Sequence, residues 1–385
     1  MSDSTAPSDD PLNRPLPVLR AMIDAIDHEV LRLLARRYGL VGEIAAYKRK
    51  HGLPIRDFRR EQEIIADRRG RAAPLGLAPD LIESLFRLIL WASRDRQAAL
   101  QAELPLEVEP RTVAVIGGRG GMGRLMADFF ADLGHAVMIA DLDTELTPEA
   151  AAAVADVVLI SVPIQRTVEV IRRLGPRVRP GALLMDVTSI KAEPVAEMLA
   201  SCAASVVGTH PLFGPSVHSL QGQRVVICPG RGDEWLNWLR RMFQARGLVV
   251  KEASPREHDE AMAVVQVLTH FSTEVLGETL AGLGVPVEQT LAFTSPVYLM
   301  ELLMTARHFA QSPELYAGIE MSNPAAARVT EAFVRAAERL HRLVRSGDQE
   351  GFARMFLEVR DYFGPFKDRA LAQSSFLIDR LVERD

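Results

Sequence analysis

Apolar residues recur with helical spacing over the first hundred positions. Leu19, Ile23, Ile26, Val30, Leu33, Leu34, Val41 and Ile44 fall three, four or seven apart. The spacing predicts one very long helix ending near Lys50. Gly52-Leu53-Pro54-Ile55 breaks it. A shorter helix is expected from about Asp57, and a third from near Pro79 through "DLIESLFRLILWASRDRQAAL". Beyond "ELPLEVEP" the pattern changes. "TVAVIGG", "HAVMIAD", "VVLISVP", "ALLMDVTS" and "SVVGTHP" are short β-rich runs separated by helical stretches. That alternation predicts a parallel sheet wrapped by helices. From about Arg256 helical periodicity returns and continues to the C-terminus.

The fold class expected is therefore multidomain. A polar, proline-rich tail (1–15) reads as disordered. An all-α domain (16–104) and a linker (105–111) follow. An α/β Rossmann-type dinucleotide-binding domain (112–255) and an all-α C-terminal domain (256–385) complete the chain. Composition narrows the function classes. Of 385 residues, 48% are hydrophobic and 25% charged, with a net charge of −5, so no general affinity for nucleic acid or membrane is implied. Two cysteines, Cys202 and Cys228, exclude a disulfide framework and fit a reducing compartment. No Cys/His spacing suits a metal, no apolar run of ~18 residues exists, and the N-terminal segment lacks a signal-peptide pattern. The expectation is a cytoplasmic protein without a metal.

The most informative stretch is "VIGGRGGMG". Gly118, Gly120 and Gly123 satisfy G-x-G-x-x-G between a strand and a helix. The first permits a tight turn, the second lets the backbone approach a pyrophosphate, and the third lets helix and strand pack closely. Gly121 and Met122 open the helix whose free N–H groups would face the phosphates. Asp141, about 20 residues on, is placed to bind the ribose hydroxyls of NAD and to repel a 2′-phosphate. The alternative is a glycine turn of some other fold with Asp141 as a cap. Arg119, inside the loop, is within reach of a phosphate.

In open α/β sheets ligands lie beyond the carboxyl ends of the strands. Ser161 and Pro163, Ser189 and Lys191, and His210 follow three such ends. Oxidising an alcohol requires a proton acceptor, and a neutral histidine suits that task. By itself His210 reads equally well as a residue that bonds its own turn. Arg307 shares a helical face with Met300, Leu303 and Met304. An arginine on an apolar stripe needs an anion, either Glu301 or Glu314 or a substrate carboxylate. His270 lies at the edge of a helix core.

These segments resemble the prephenate dehydrogenase family. "VIGGRGGMGRL", "ISVPI", "DVTSIKAEP", "THPLFGP", "EHDEAMAVVQVLTHF" and "SPVYLMEL" occur in its order over about 112–380. The resemblance implies NAD-dependent oxidation of prephenate with loss of carbon dioxide. It implies that His210 accepts the ring hydroxyl's hydrogen bond, that Arg307 binds a carboxylate, and that Ser189 and His270 line the site. Leu299 departs from relatives, which often carry arginine there.

In the helical block, Arg37 and Lys48 share one face about 16–17 Å apart, enough to bracket a small anion. Asp57, Arg60 and Glu61 fall at i, i+3, i+4. The stripe Phe86, Leu90 turns polar at Ser93 and Gln97, as beside a ligand-filled cavity. Each feature also reads as solvated surface. "LPVLRAMIDAID", "LLARRYGLVGEIAAYK", "LPIRDFRRE" and "WASRDRQ" resemble the all-helical chorismate mutase family. The resemblance implies a site of Arg20, Arg37, Lys48, Asp57, Arg60, Glu61, Ser93 and Gln97. Such a site holds a folded dicarboxylate and steadies charge on the breaking ether oxygen, with no cofactor.

Together the halves resemble a bifunctional chorismate mutase/prephenate dehydrogenase of tyrosine biosynthesis, with chorismate and prephenate as substrates and tyrosine as a possible feedback inhibitor. An arogenate dehydrogenase fused to a mutase, or a non-catalytic chorismate or tyrosine sensor, are the alternatives. Arg20 stands about 25 Å from Arg37 along the first helix and about 42 Å from Lys48. If all three serve one site, Arg20 comes from a second subunit, which implies a homodimer built on paired long helices.

Overall fold

A computed structural model describes residues 14–51, 53, 55–102 and 109–382. Residues 1–13 of the expected disordered tail, Gly52 and Pro54 of the Gly52–Ile55 break and most of the linker lie outside these residues. The chain divides into two compact units, Met1–Leu104 and Pro105–Asp385.

The first unit is helical, as expected. Helix α1 spans Leu16–Lys50, α2 Phe58–Ala72 and α3 Pro79–Ala102. Asp57 starts α2 by accepting the Arg60 N–H at 3.0 Å, an N-cap. Gly76, at φ 74°, closes the turn after Ala73–Leu75. Only the C-terminal part of α1 is buried, at Val41 and Ala45. Ile23, Ile26, Val30 and Leu33 are each about half exposed or more. The apolar seam of α1 is thus mostly exposed.

The second unit begins with a seven-stranded sheet of order β2-β1-β3-β4-β5-β6-β7. The strands are β1 Thr112–Ile116, β2 Ala136–Ala140, β3 Val157–Ile160, β4 Leu183–Asp186, β5 Ser205–Pro211, β6 Arg224–Arg231 and β7 Val249–Glu252. The first five were legible as apolar runs. Strands β6 and β7 were not, and β6 corrects the expectation of a wholly parallel sheet by running antiparallel to β5. Alternate residues serve opposite faces. Val113, Val115, Leu159 and Met185 pack with Phe129, Phe130, Leu239 and Phe243 of helices α4 (Gly121–Asp132) and α8 (Asp233–Ala245). Ala114, Ile116, Val158, Ile160 and Leu184 pack against α5 (Pro148–Val154), α6 (Ile164–Leu174) and α7 (Ala192–Ser201). Burial on both faces is why these strands are continuously apolar.

Helix α9 (Pro255–Met262), a π-helical turn (Ala263–Leu268) and α10 (Thr269–Leu283) lead into the helical remainder. It comprises α11 (Val287–Leu291), α12 (Pro296–Phe309), α13 (Pro313–Ser322), α14 (Ala326–Ser346), α15 (Gln349–Phe363) and α16 (Phe366–Val382). Among the described residues no helix is long and apolar enough to cross a membrane, and none of their acidic, histidine or cysteine side chains cluster as a metal site.

Candidate active sites

In the first unit α1 and α3 bring Arg37, Ser93 and Gln97 together. Arg37 donates to Ser93 Oγ at 2.5 Å, and Ser93 donates on to the Ile89 carbonyl at 2.6 Å. Gln97 donates to the Ser93 carbonyl at 3.2 Å, while its buried Oε1 has no partner. A buried amide with an unmet acceptor beside a half-buried guanidinium is poised for a polar ligand. Burial, then nearby Arg68, holds the Arg37 guanidinium below its ordinary value. Lys48 reaches the Ile55 carbonyl at 2.5 Å. Burial lowers its pKa, against the opposing pull of Asp57 and Glu61.

Two of the expected residues sit differently. Asp57 is engaged as a cap, and Arg60 is exposed and turned to Glu63 at 3.3 Å. Glu61 pairs with Arg94 at 2.7 Å and Arg56 at 3.4 Å. The i, i+3, i+4 face is therefore shared between capping, local pairing and the cluster rather than given wholly to it. Arg94, half-buried against Glu61, was not singled out from sequence, although it lies in the quoted "WASRDRQ". Arg20 is exposed near the start of α1.

In the second unit the glycine loop turns from β1 into α4. Gly117 holds φ 81°, and a Cβ there would meet the Ser161 carbonyl at 2.2 Å, so this glycine, outside the three of the motif, is required by the turn. A Cβ on Gly123 would strike the Gly117 carbonyl at 2.2 Å, the close helix–strand approach expected of the third glycine. At Gly120 a Cβ would meet nothing nearer than 3.4 Å. That side is open, and Gly121, Met122 and Gly123 follow as the first turn of α4, whose amides have no partner in their own helix. Gly118 is buried and packs on Ile139. Asp141, just beyond β2, accepts the Arg119 N–H at 2.9 Å and the Leu142 N–H at 2.8 Å. The guanidinium of Arg119 pairs with Asp143, not with the loop. Ser161 and Pro163 connect β3 to α6 at the same end of the sheet, and Ser189 follows β4 there.

His210 lies in the last turn of β5, 3% exposed. Its Nδ1 stands 2.9 Å from His258 Nε2, and His258 Nδ1 stands 2.8 Å from Asp259 Oδ1. Burial, with His258 and Lys191 nearby, keeps the His210 imidazolium pKa well below its usual range. Lys191, expected at a strand end facing ligand, is fully buried instead. It pairs with Asp186 and donates to the Thr209 carbonyl at 2.8 Å, so it braces the strand ends and adds positive potential beside His210. His258, Asp259 and Gln266, whose Nε2 is 3.4 Å from His210 Nε2, were not named from sequence. They lie inside the quoted "EHDEAMAVVQVLTHF", and that motif was the available signal.

His270, on α10, packs edge-on against Tyr316 at 4.9 Å and near His308 at 5.5 Å. Its buried Nδ1 has no partner. Burial, then His308, lowers its pKa, and Glu274 opposes. His308 pairs with Glu274 at 2.9 Å. Glu320 is pushed up to about 7 by burial and by Glu274. Arg307 corrects an expectation. It is exposed, as are Leu303 and Met304 on its face, while Met300 is half-buried. Glu314 accepts a hydrogen bond from Ser312, and among the described residues no ion pair joins Arg307 to Glu301 or Glu314. Leu299 is half-buried on α12.

Comparison with known proteins assigns the chain. Family models match for type II chorismate mutase over 19–98, the prephenate dehydrogenase nucleotide-binding domain over 132–252 and the prephenate dehydrogenase dimerization domain over 254–358. The T-protein of Haemophilus influenzae is 35% identical over 94% of this chain and 96% of its own length. That of Enterobacter agglomerans is 38% identical over 94% and 97%. A solved prephenate dehydrogenase from A. aeolicus, in complex with hydroxyphenyl propionate and NAD+, shares the fold of the second unit. Its TM-score is 0.53 at 21% identity, covering 67% of this chain and 98% of that one. With a mutase fold in the first unit, a nucleotide-binding sheet and a helical remainder in the second, and near full-length relatives at this identity, the chain belongs to the T-protein family, in which a chorismate mutase is joined to a prephenate dehydrogenase.

Proposed function

We propose how the residues of this bifunctional enzyme divide the work of its two reactions. The chain rearranges chorismate to prephenate, then oxidatively decarboxylates prephenate with NAD+ to 4-hydroxyphenylpyruvate. The observation that carries the assignment of roles is His210, buried and held by His258 at the end of β5, with its pKa held low by burial.

In the mutase, Arg37 grips a substrate carboxylate. Lys48 and the Nε2 amide of Gln97, turned from the Ser93 carbonyl, donate to the ether oxygen, Ser93 orients Arg37, and Asp57 and Glu61 take the ring hydroxyl. Arg60 turns from Glu63 toward substrate. Arg20 is supplied by a second subunit. The uncovered seam of α1 and the exposed stripe of α12 support a homodimer.

In the dehydrogenase, the open side of Gly120 and the amides of Gly121, Met122 and Gly123 receive the pyrophosphate, with Gly118 shaping the turn. Ser161 and Pro163 border the nicotinamide end, and Asp141 keeps lone pairs for the ribose hydroxyls. NAD+ supplies the hydride acceptor. His210 Nε2 takes the proton of the ring hydroxyl as the C–H electron pair departs. The carboxylate then leaves as carbon dioxide, its bonding pair aromatises the ring, and the ring oxygen recovers a proton. Ser189 and His270 line the substrate, and Arg307 binds a carboxylate. We place the protein in the cytoplasm and its domain boundaries at 16–104, 112–255 and 256–385. Tyrosine, close in shape to the final product, is the inhibitor expected of this pathway step.

The purified protein should form NADH from chorismate and NAD+ with no other enzyme added. In the same assay started with prephenate, Arg307→Ala should raise KM about tenfold or more while kcat falls less. An unchanged KM would remove Arg307 from substrate binding.

Asp141 predicts cofactor preference. Wild type should favour NAD+ over NADP+ in kcat/KM, and Asp141→Ala should narrow the ratio by about tenfold, through weaker NAD+ binding and relieved repulsion of the 2′-phosphate. Equal use of both cofactors by the wild type would contradict this.

A further inference from the structure

His210, His258 and Asp259 form a buried chain whose hydrogen bonds favour one proton arrangement. It is solved from the far end. Asp259 Oδ1 accepts the Lys191 N–H at 2.8 Å, and Oδ2 accepts the Ala192 N–H at 2.9 Å. Backbone amides only donate, so both oxygens act as acceptors. These bonds and the one to His258 outweigh burial and keep the carboxyl below its ordinary pKa. Asp259 Oδ1 also faces His258 Nδ1 at 2.8 Å. That nitrogen must therefore carry a proton.

A neutral His258 then presents a bare Nε2. Across 2.9 Å stands His210 Nδ1. One proton belongs in that gap, and it can reside only on His210. The lone pair of neutral His210 is thereby left on Nε2. The side-chain amide of Gln266 lies 3.4 Å from Nε2, and its nitrogen can donate to that lone pair. A second cation here is disfavoured, because the Lys191 ammonium is already sealed in the same region with no exposed surface.

We propose that His258 and Asp259 are positioning residues for the dehydrogenase: Asp259 fixes the proton of His258, His258 fixes the proton of His210, and His210 is held with Nε2 bare to receive the substrate's hydroxyl proton. The proposal rests on the reading of His210 as proton acceptor. It adds a consequence. Once Nε2 is protonated, the Nδ1 proton of His210 can cross to His258 Nε2. No atom is lost, and the positive charge moves one ring closer to the Asp259 carboxylate. An orienting carboxylate that fixes a catalytic imidazole's tautomer through its second nitrogen is established chemistry elsewhere. Here a second imidazole is interposed.

The test uses the full-length protein labelled with ¹⁵N-histidine, with the His210 resonances assigned by their loss in His210→Asn. Wild-type His210 should show its proton on Nδ1, the minor tautomer of free imidazole. In Asp259→Asn the new amide can donate to His258 Nδ1. That reverses His258, and His210 should shift toward the Nε2–H form. The kcat for prephenate should fall about tenfold or more, with mutase turnover unchanged. Since Asp259 also holds two backbone amides, a second pair of variants separates orientation from packing. His258→Gln can place an amide oxygen where Nε2 was and should keep kcat within about threefold of wild type. His258→Phe fills the space without an acceptor and should lose about tenfold or more. Equal loss in both would reduce His258 to packing and overturn the proposal, as would a wild-type His210 protonated on Nε2. If His210→Asn itself oxidises prephenate normally, the acceptor assignment fails instead, whatever the tautomer.

Discussion

His210→Asn should oxidise prephenate on the order of 10²-fold or more slowly than wild type, with chorismate rearrangement little changed. The amide of asparagine is close in size to the Nδ1 edge of the ring, so the contact with His258 can survive. It carries no nitrogen lone pair that can accept a proton. The hydroxyl proton then has no acceptor as the C–H bond breaks, and the loss belongs to kcat. KM for NAD+ should stay near wild type, since the glycine loop and Asp141 are untouched. The mutase serves as an internal control of folding, because its residues belong to the other compact unit. Initial rates of NADH formation from prephenate, beside chorismate loss on the same preparation, make the comparison. A wild-type oxidation rate would return His210 to a structural partner of His258.

Much of this arrangement was legible because burial leaves local marks. Strand β3 is wholly apolar, and β1 and β4 are apolar apart from Thr112 and Asp186 at their ends, since helices cover both sheet faces. The long helix showed its period over eight apolar positions. Strand β6 left a weaker mark, with Pro229 and Gly230 at its end and exposed backbone beyond Cys228. Its direction is a property of its pairing with β5, which no local pattern records. Strand β7 is four residues long and mostly exposed.

The site was legible where chemistry dictates residue type. Glycines at a phosphate turn and a histidine after a strand are such marks. The relay behind His210 was not. His258 and Asp259 sit in "REHDEAM", among exposed glutamates and an arginine, and nothing in that window separates a sealed pair from a solvated one. Only the fold brings Lys191 and Ala192 amides onto Asp259 from 68 and 67 residues away. Arg307 misled in the opposite sense. Its apolar stripe is real, but sequence does not say whether the same chain or another covers it, and Leu303 and Met304 are exposed. The seam of α1 poses the same question.

That question has a decisive answer in mixed dimers. Arg20→Ala and Arg37→Ala should each abolish most mutase activity alone. Arg37 contacts Ser93 and stands by the unmet amide oxygen of Gln97, whereas Arg20 is exposed, about 25 Å away along α1. No side chain spans that distance, and the intervening turns of helix leave Arg20 about 100° off the shared face of Arg37 and Lys48. If Arg20 serves a site, it serves the partner's, across a two-fold seam of paired α1 helices. Co-expressed, the two variants pair at random, and about half the dimers are mixed. In a mixed dimer one site combines both lesions and the other carries neither. Mutase activity should therefore return to about a quarter of wild type, while each variant alone stays near zero. Prephenate oxidation, measured alongside, should stay at wild-type level throughout, since neither change touches the second unit. Differential tags establish that mixed dimers have formed. If they have and no activity returns, each mutase site is built from a single chain, and the exposed seam of α1 needs another occupant.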